Sequence, residues 1–221
     1  MRVVLASASP ARLSVLRGAG LDPEVEVSEV DETAVLANLG AASPAETVTA
    51  LAMAKARDVA GRLRRLEPGS LEPGEDTVVI GCDSMLLLAG ELVGKPHDPG
   101  EAKRRWAAMR GRKGTLLTGH AVLRLGADGS ERTATGHAET IVRFGEPTDA
   151  EVDAYVATGE PLAVAGAFTL DGLGGWFVEG VEGDPSNVIG ISLPLTRRLL
   201  ATVGVAVPRL WRKPAQNSAA S

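Results

Sequence analysis

Residues 3–13 read VVLASASPARL, and the reading of this stretch decides the fold. An apolar run leads into two small hydroxyl residues, Ser7 and Ser9, then a proline and an arginine. The run over residues 2–6 predicts a short buried strand. Pro10 suits the first turn of a helix, where its missing N–H costs nothing. Leu13, Leu16 and the glycine stop over residues 18–20 predict a helix of about three turns. A strand passing directly into a helix is the start of an α/β unit. The turn between them has two readings: a tight structural connection, or hydroxyls and backbone N–H groups at a helix N-terminus forming a seat for an anion.

Working outward, residues 23–27 alternate like a half-buried strand and deliver the chain to Val30-Asp31-Glu32. Ser43-Pro44-Ala45-Glu46 is a capping box with proline at the first helical position. It predicts a helix to about Leu66 with Val48, Leu51, Ala52, Ala56 and Val59 on one apolar stripe and Lys55 close beside it. The stretch EPGSLEPGED, residues 67–76, reads as a solvated linker. Residues 77–82 predict a strand ending at Asp83. Residues 85–88 and 91–93 predict a hairpin around Ala89-Gly90, which feeds into Gly94-Lys95-Pro96. Asp98-Pro99-Gly100-Glu101 is a second capping box, opening a helix to about Met109. Residues 115–125 and 131–144 predict two long strands joined by Ala127-Asp128-Gly129. A helix over residues 148–158, a short strand over 176–178 in a glycine-rich stretch, and a helix over 192–203 complete the chain. The pattern predicts a mixed-sheet α/β fold of two lobes.

The bulk numbers bound what such a chain does. Its 221 residues suffice for a substantial core, and its 44% hydrophobic and 23% charged content is that of a globular protein. A net charge of −5 argues against a general binder of nucleic acid or anionic membranes, so any anion site is a local basic pocket. The single cysteine, Cys82, excludes an intrachain disulfide and a cysteine-based zinc cluster. No apolar run approaches the roughly 20 residues that span a bilayer, and the stretch before Ser7 is too short for a signal-peptide core. A cytoplasmic location and no membrane partner are the expectation.

Several chemistries lack their residues. There is no G-x-x-x-x-G-K-[ST], no G-x-S-x-G and no H-E-x-x-H, and the glycines near Gly172 do not link a strand to a helix. His97, His120 and His137 are scattered. What collects at strand ends and in glycine-flanked loops is a set of cations, Arg12, Lys55 and Lys95, and carboxylates, Glu32, Asp83, Asp171 and Asp184. Ligands of open α/β sheets bind beyond strand ends, where Ser7, Asp83 and Lys95 are expected. Lysines and an arginine beside carboxylates suit a polyphosphate bound with a divalent metal, the cations taking phosphate oxygens and the carboxylates the metal. Each feature also has a structural reading. Ser7-Ala8-Ser9-Pro10 makes an ordinary turn, Asp83 an Asx-type cap, and Lys95 a solvated surface lysine.

In order along the chain, LASASPARLSVLRGAG, VDET, AMAKA, GCDSMLLLAGELVGKP, TGHAVL, AGAFTLDGLGG and EGDPSNVIGISLP resemble the signatures of the Maf family of nucleoside triphosphate pyrophosphatases. The resemblance covers nearly all of residues 3–200. It implies an elongated two-lobed α/β fold with a central mixed sheet and a cleft, as one domain over residues 1–207 with a flexible tail over 208–221. It also implies hydrolysis of nucleoside triphosphates to monophosphate and pyrophosphate with Mg²⁺ or Mn²⁺, a link to septum formation, and a possible homodimer. Asp83 corresponds to the catalytic base for the attacking water and, with Glu32, to a metal-side acid. Ser7, Ser9, Arg12, Lys55 and Lys95 correspond to triphosphate-binding residues.

Three positions depart from the family pattern. The usual S-P-R-R is Ser9-Pro10-Ala11-Arg12, the usual A-D-T is Cys82-Asp83-Ser84, and the usual I-Q-G is Leu170-Asp171-Gly172. The branch that prefers 7-methyl-GTP, with S-P-W-R, D-Q and E-G at these places, matches poorly as well. The resemblance therefore marks Ala11, Ser84 and Asp171 as lining a base pocket altered from the dTTP/UTP-preferring type, the alternative being that Asp171 points away from the base or binds metal. Two alternatives are a non-catalytic nucleotide-binding regulator of septum formation and a sugar-nucleotide transferase. Asp83, Glu32 and both lysines favour the hydrolase, because a binding module needs cations but no catalytic carboxylate.

Overall fold

The computed structural model describes residues 1–66, 75–96 and 98–212. The opening stretch forms β1 (Arg2–Ala6) and α1 (Pro10–Gly18), joined by residues 7–9. The chain continues through β2 (Glu24–Val25), α2 (Glu32–Leu39), α3 (Pro44–Leu66), β3 (Thr77–Leu88) and β4 (Glu91–Val93). It then runs through α4 (Pro99–Met109), β5 (Lys113–Leu125), β6 (Glu131–Phe144), α5 (Asp149–Ala157), β7 (Val178–Glu182), α6 (Pro185–Ile189) and α7 (Leu193–Thr202). The strands make one seven-stranded sheet in the order β2-β1-β3-β5-β6-β7, with β4 added to β3. The β2-β1-β3 pairs are parallel and the others antiparallel, so the fold is α/β with a mixed sheet.

Alternation along β1 and β3 sorts the core onto two faces. Val3, Leu5, Val78, Ile80 and Cys82 pack with Leu16 of α1 and Leu195, Leu199 and Leu200 of α7. Val4, Ala6 and Val79 face the other way, against Ala52, Ala56 and Val59 of α3. The stripe read from the sequence of α3 is buried along its length. Beyond β3's middle a third cluster gathers Leu86, Leu88 and Leu116 with Trp106, Met109, Val152, Tyr155 and Phe168. Trp106 meets Phe144, Tyr155 and Phe177 edge-on at centroid distances of 5.9, 5.9 and 5.6 Å, the favoured geometry for aromatic pairs.

Register leaves a gap along one edge of β3. β1 accompanies β3 only as far as the Ala6–Gly81 pair, and β4 joins β3 only from Leu86. β5 covers the opposite edge of β3 without interruption from Thr77 to Leu87. Residues 82–85 of β3 therefore keep an open edge, a notch between the ends of β1 and β4. Two glycines bring α3 down onto the sheet beside it. A Cβ on Gly81 would lie 2.4 Å from the Ala52 carbonyl oxygen, and one on Gly119 would lie 2.1 Å from that of Val48.

The structure corrects the sequence reading in four places. β3 does not stop at Asp83 but runs on to Leu88, because unbroken pairing with β5 carries the strand through the polar Asp83-Ser84 step and β4 joins its other edge from Leu86. The strand expected over residues 23–27 shrinks to the two exposed residues of β2. Residues 173–177 form a 3-10 turn rather than a strand, and pairing to β6 begins only at Val178. α2 and α6 were not anticipated; α2 buries none of its residues and so has no apolar stripe to read. The linker of residues 67–76 lies outside the described residues except for Glu75 and Asp76, as does the tail beyond Arg212. Among the described residues, no helix is long and apolar enough to cross a membrane.

Candidate active site

The notch is furnished from both sides of β3. Successive residues of a strand face opposite ways, so Asp83 turns toward α3 and Ser84 toward α1. Asp83 is buried, with 8% exposure. Lys55 of α3 places its ammonium 2.5 Å from the Asp83 carboxylate and 2.7 Å from that of Glu32, at the first position of α2. Seating α3 on Gly81 through residues 52 and 56 is what puts Lys55 within reach. Burial pushes the Asp83 carboxyl above its ordinary range; Lys55 and then Arg12 oppose that rise. A poorly solvated carboxylate with cations beside it is a stronger base than one in open water, the property a general base needs.

On the other face, Ser9 caps α1 by accepting the Arg12 N–H at 3.4 Å, and the Ser7 hydroxyl accepts the Ser9 N–H at 3.2 Å. The Arg12 guanidinium donates to three neutral acceptors: Ser7 Oγ at 2.9 Å, Ser84 Oγ at 3.0 Å and the Gly190 carbonyl at 2.8 Å. Ser84 Oγ also meets Thr118 Oγ1 at 2.9 Å. Among the described residues Arg12 has no carboxylate partner. Its orientation is fixed by dipoles and no carboxylate among the described residues bonds it directly, an arrangement that suits an incoming anion. The Ala11 N–H, in the first turn of α1, likewise has no acceptor among the described residues.

Of the residues singled out from sequence, the structure joins Ser7, Ser9, Arg12 and Ser84 in one hydrogen-bonded group and Glu32, Lys55 and Asp83 in another. The Asp83-Ser84 step of β3 links the two groups. Ala11 is half-buried beside Arg12. Lys95 is exposed just past the end of β4, and its ammonium has no partner among the described residues. Arg105 fixes the backbone there, donating to the carbonyls of Gly94 and, at 3.4 Å, Lys95. Asp171 is exposed in the turn before residues 173–177 and bonds to neither group. Asp184 caps α6 by accepting the Ser186 N–H at 2.9 Å.

Sequence reasoning missed Thr118, Gly190, Gly81 and Gly119. Thr118 and Gly119 lie within TGHAVL, but only the β3–β5 register shows them opposite Ser84 and Asp83. A hollow of about 750 Å³ lined by Leu39, Ala42, Glu46, Thr49, Met53 and His137 lies beside the first half of α3 and contains none of the site residues.

Taken together, a buried carboxylate held by an ammonium and, across one strand, a guanidinium bonded only to neutral acceptors suit acid–base chemistry on a multiply charged anion. The sequence model of the Maf-like protein family matches residues 2–203, and the chain belongs to that family. A protein of Saccharopolyspora erythraea named nucleoside triphosphate pyrophosphatase is 60% identical over 215 residues, which cover 97% of this chain and 99% of that protein. One of the same name from Rhodococcus jostii is 60% identical over 209 residues, 94% of this chain and 95% of the relative. Another from Nocardia farcinica is 59% identical over 215 residues, 97% and 98% of the two chains.

Proposed function

We propose that this chain is a nucleoside triphosphate pyrophosphatase that hydrolyses (d)NTP to (d)NMP and pyrophosphate. The observation that carries the reading is the buried Asp83 carboxylate held by Lys55 beside a guanidinium that, among the described residues, makes no ion pair. Water attacks the α-phosphorus, the bond from that phosphorus to the bridging oxygen breaks, and pyrophosphate leaves. Asp83 orients the water and takes its proton; a carboxyl raised above its ordinary range is a stronger base than a solvated one. Arg12, pre-set by its three acceptors, takes phosphate oxygens without having to reorganise as negative charge develops. The hydroxyl-lined turn of residues 7–9 and Lys95 extend the grip along the phosphate chain.

A divalent cation fits the donor set. Glu32 and Asp83 converge on Lys55, so two hard oxygen donors lie close together. Among the described residues no cluster of three His, Cys, Asp or Glu exists. Mg²⁺ is held in this way by one or two carboxylates plus substrate phosphates and water, not by an all-protein cage. When bound, the ion supplies Lewis-acid stabilisation of phosphate charge.

Base choice falls to Ala11, Ser84 and Asp171. Where an amide both donates and accepts, a carboxylate at Asp171 only accepts, which favours base edges rich in N–H donors, those of guanine and cytosine. The enzyme acts in the cytoplasm on this reading. The test is product analysis across GTP, dGTP, CTP, UTP and dTTP with Mg²⁺ or Mn²⁺. Monophosphate and pyrophosphate in equal amounts, loss of both on chelation, and no preference for dTTP and UTP are expected. Release of orthophosphate would overturn the reaction, and a clear dTTP/UTP preference would overturn the base assignment.

A further inference from the structure

Glu160, just past α5 in a 3-10 turn over Glu160–Ala163, has no part in the chemistry described above and makes no ion pair among the described residues. Its carboxylate instead accepts four hydrogen bonds. Two come from side chains, Tyr155 Oη at 3.0 Å and Thr169 Oγ1 at 2.5 Å. Two come from backbone, the Leu173 N–H at 3.1 Å and the Gly174 N–H at 3.0 Å. Thr169 Oγ1 in turn accepts the Gly174 N–H at 3.1 Å, closing the ring. Residues 169 and 172–174 therefore wrap one carboxylate from both sides of Asp171. The fit is close: a Cβ on Gly172 would stand 2.8 Å from Glu160 Oε2, and one on Gly174 would stand 2.5 Å from Tyr155 Oη.

The same segment is fixed at its other end to the notch. The Gly166 N–H donates to the Gly94 carbonyl at 3.0 Å, next to Lys95, and a Cβ on Gly166, whose φ is +72°, would stand 2.9 Å from Leu86 Cβ. The arc carrying Asp171 is thus pinned to β3 and β4 at Gly166 and to Glu160 at residues 169–174. Asp171 itself is exposed and its side chain makes no hydrogen bond among the described residues, so its position rests on these two ties.

We propose that Glu160 is a positioning residue for base selection: its carboxylate fixes the arc that presents Asp171 to the nucleobase. This rests on the reading of Asp171 given under the proposed function. A carboxylate is the fitting group because it offers about four acceptor sites and no donor, matching four incoming donors. Glutamine in its place turns half of the head group into a donor facing donors.

The experiment measures kcat and KM for GTP, CTP, UTP and dTTP in the wild type, Glu160→Gln, Asp171→Asn and the double variant. For Glu160→Gln, KM for the preferred nucleotide is expected to rise about tenfold and the ratios of kcat/KM among bases to flatten, with kcat falling less than KM rises. In the Asp171→Asn background the Glu160→Gln change is expected to shift those ratios no further, because coupled residues are not additive. If Asp171→Asn leaves the ratios unchanged, the base-reading role of Asp171 is wrong and the inference falls with it. If Asp171→Asn shifts the ratios but Glu160→Gln does not, or shifts them equally with Asp171 absent, Glu160 is merely structural and only the inference is overturned. Should Glu160→Gln fail to fold, Thr169→Val, which removes one of the four donors, is read by the same ratios.

Discussion

Arg12 and His120 are both fixed by neutral hydrogen-bond partners, and the difference in their burial decides what each is for. Arg12 keeps its charge at the notch. His120, wholly buried, places Nδ1 3.0 Å from the Thr118 carbonyl, and its Nε2 accepts the Ser192 N–H at 2.8 Å. A carbonyl only accepts, so Nδ1 carries the proton and the ring is neutral; an imidazolium would set a donor at Nε2 against the Ser192 N–H. Burial is the largest cause lowering its pKa to about 4; Arg12 adds to it, while the Thr118 carbonyl and Asp184 oppose. Between the ordinary value of 6.5 and about 4 the unfolded chain takes up a proton that the folded chain refuses. Stability attached to this ring is therefore complete above pH 6.5 and declines as pH falls, by about 3 kcal/mol in all. Denaturant unfolding from pH 7 to pH 4 is expected to show that decline in the wild type and a flatter profile in His120→Asn. Equal slopes would remove His120 as the group responsible.

Among the elements, α3 sets the geometry of the site, and two glycines determine how it sits. With Cβ positions 2.1 and 2.4 Å from helix carbonyl oxygens, Gly119 and Gly81 cannot carry a side chain unless α3 lifts. Lifting α3 parts Lys55 from Asp83. Gly119→Ala is expected to cost about 3 kcal/mol or more of stability in urea unfolding and to reduce turnover beyond what the remaining folded fraction explains. Wild-type stability in that variant would show that the helix has slack. Of these elements, α3, α4, α5 and α7 were legible because each begins with a proline or capping residue and carries buried positions at helical spacing, and α1 because Ser9 and Pro10 open it and glycines follow it. α2 was not, since a helix that buries nothing leaves no periodic trace. β3 was read too short because strand continuation at Asp83 and Ser84 comes from partners more than thirty residues downstream, not from local preference.

Across the whole molecule, mismatched strand lengths open the notch to which the proposed chemistry is assigned. β1 ends at Ala6 and β4 ends at Val93, while β3 spans both, so a stretch of strand in the middle of the sheet is left open and chemistry from α1, α2 and α3 converges on it. Ser7, Ser9, Arg12, Glu32, Lys55, Asp83 and Ser84, which meet there, were legible one at a time. Their grouping on opposite faces of one strand was not, because register and the close seating of α3 are tertiary facts. Glu160 and Thr118 escaped notice for the same reason: each acts through partners distant in sequence or across a strand pair.

The most direct test of the proposed chemistry pairs two measurements on Asp83→Asn: pyrophosphate release from a triphosphate that the wild type hydrolyses, and calorimetric binding of that nucleotide. Asparagine keeps the shape of the side chain and removes the base. A fall in kcat of about 10²-fold or more with the dissociation constant held within a few fold is the expected result. Turnover at the wild-type rate in Asp83→Asn would contradict the assignment of Asp83 as the base and, with it, the reading of the notch as the reaction centre.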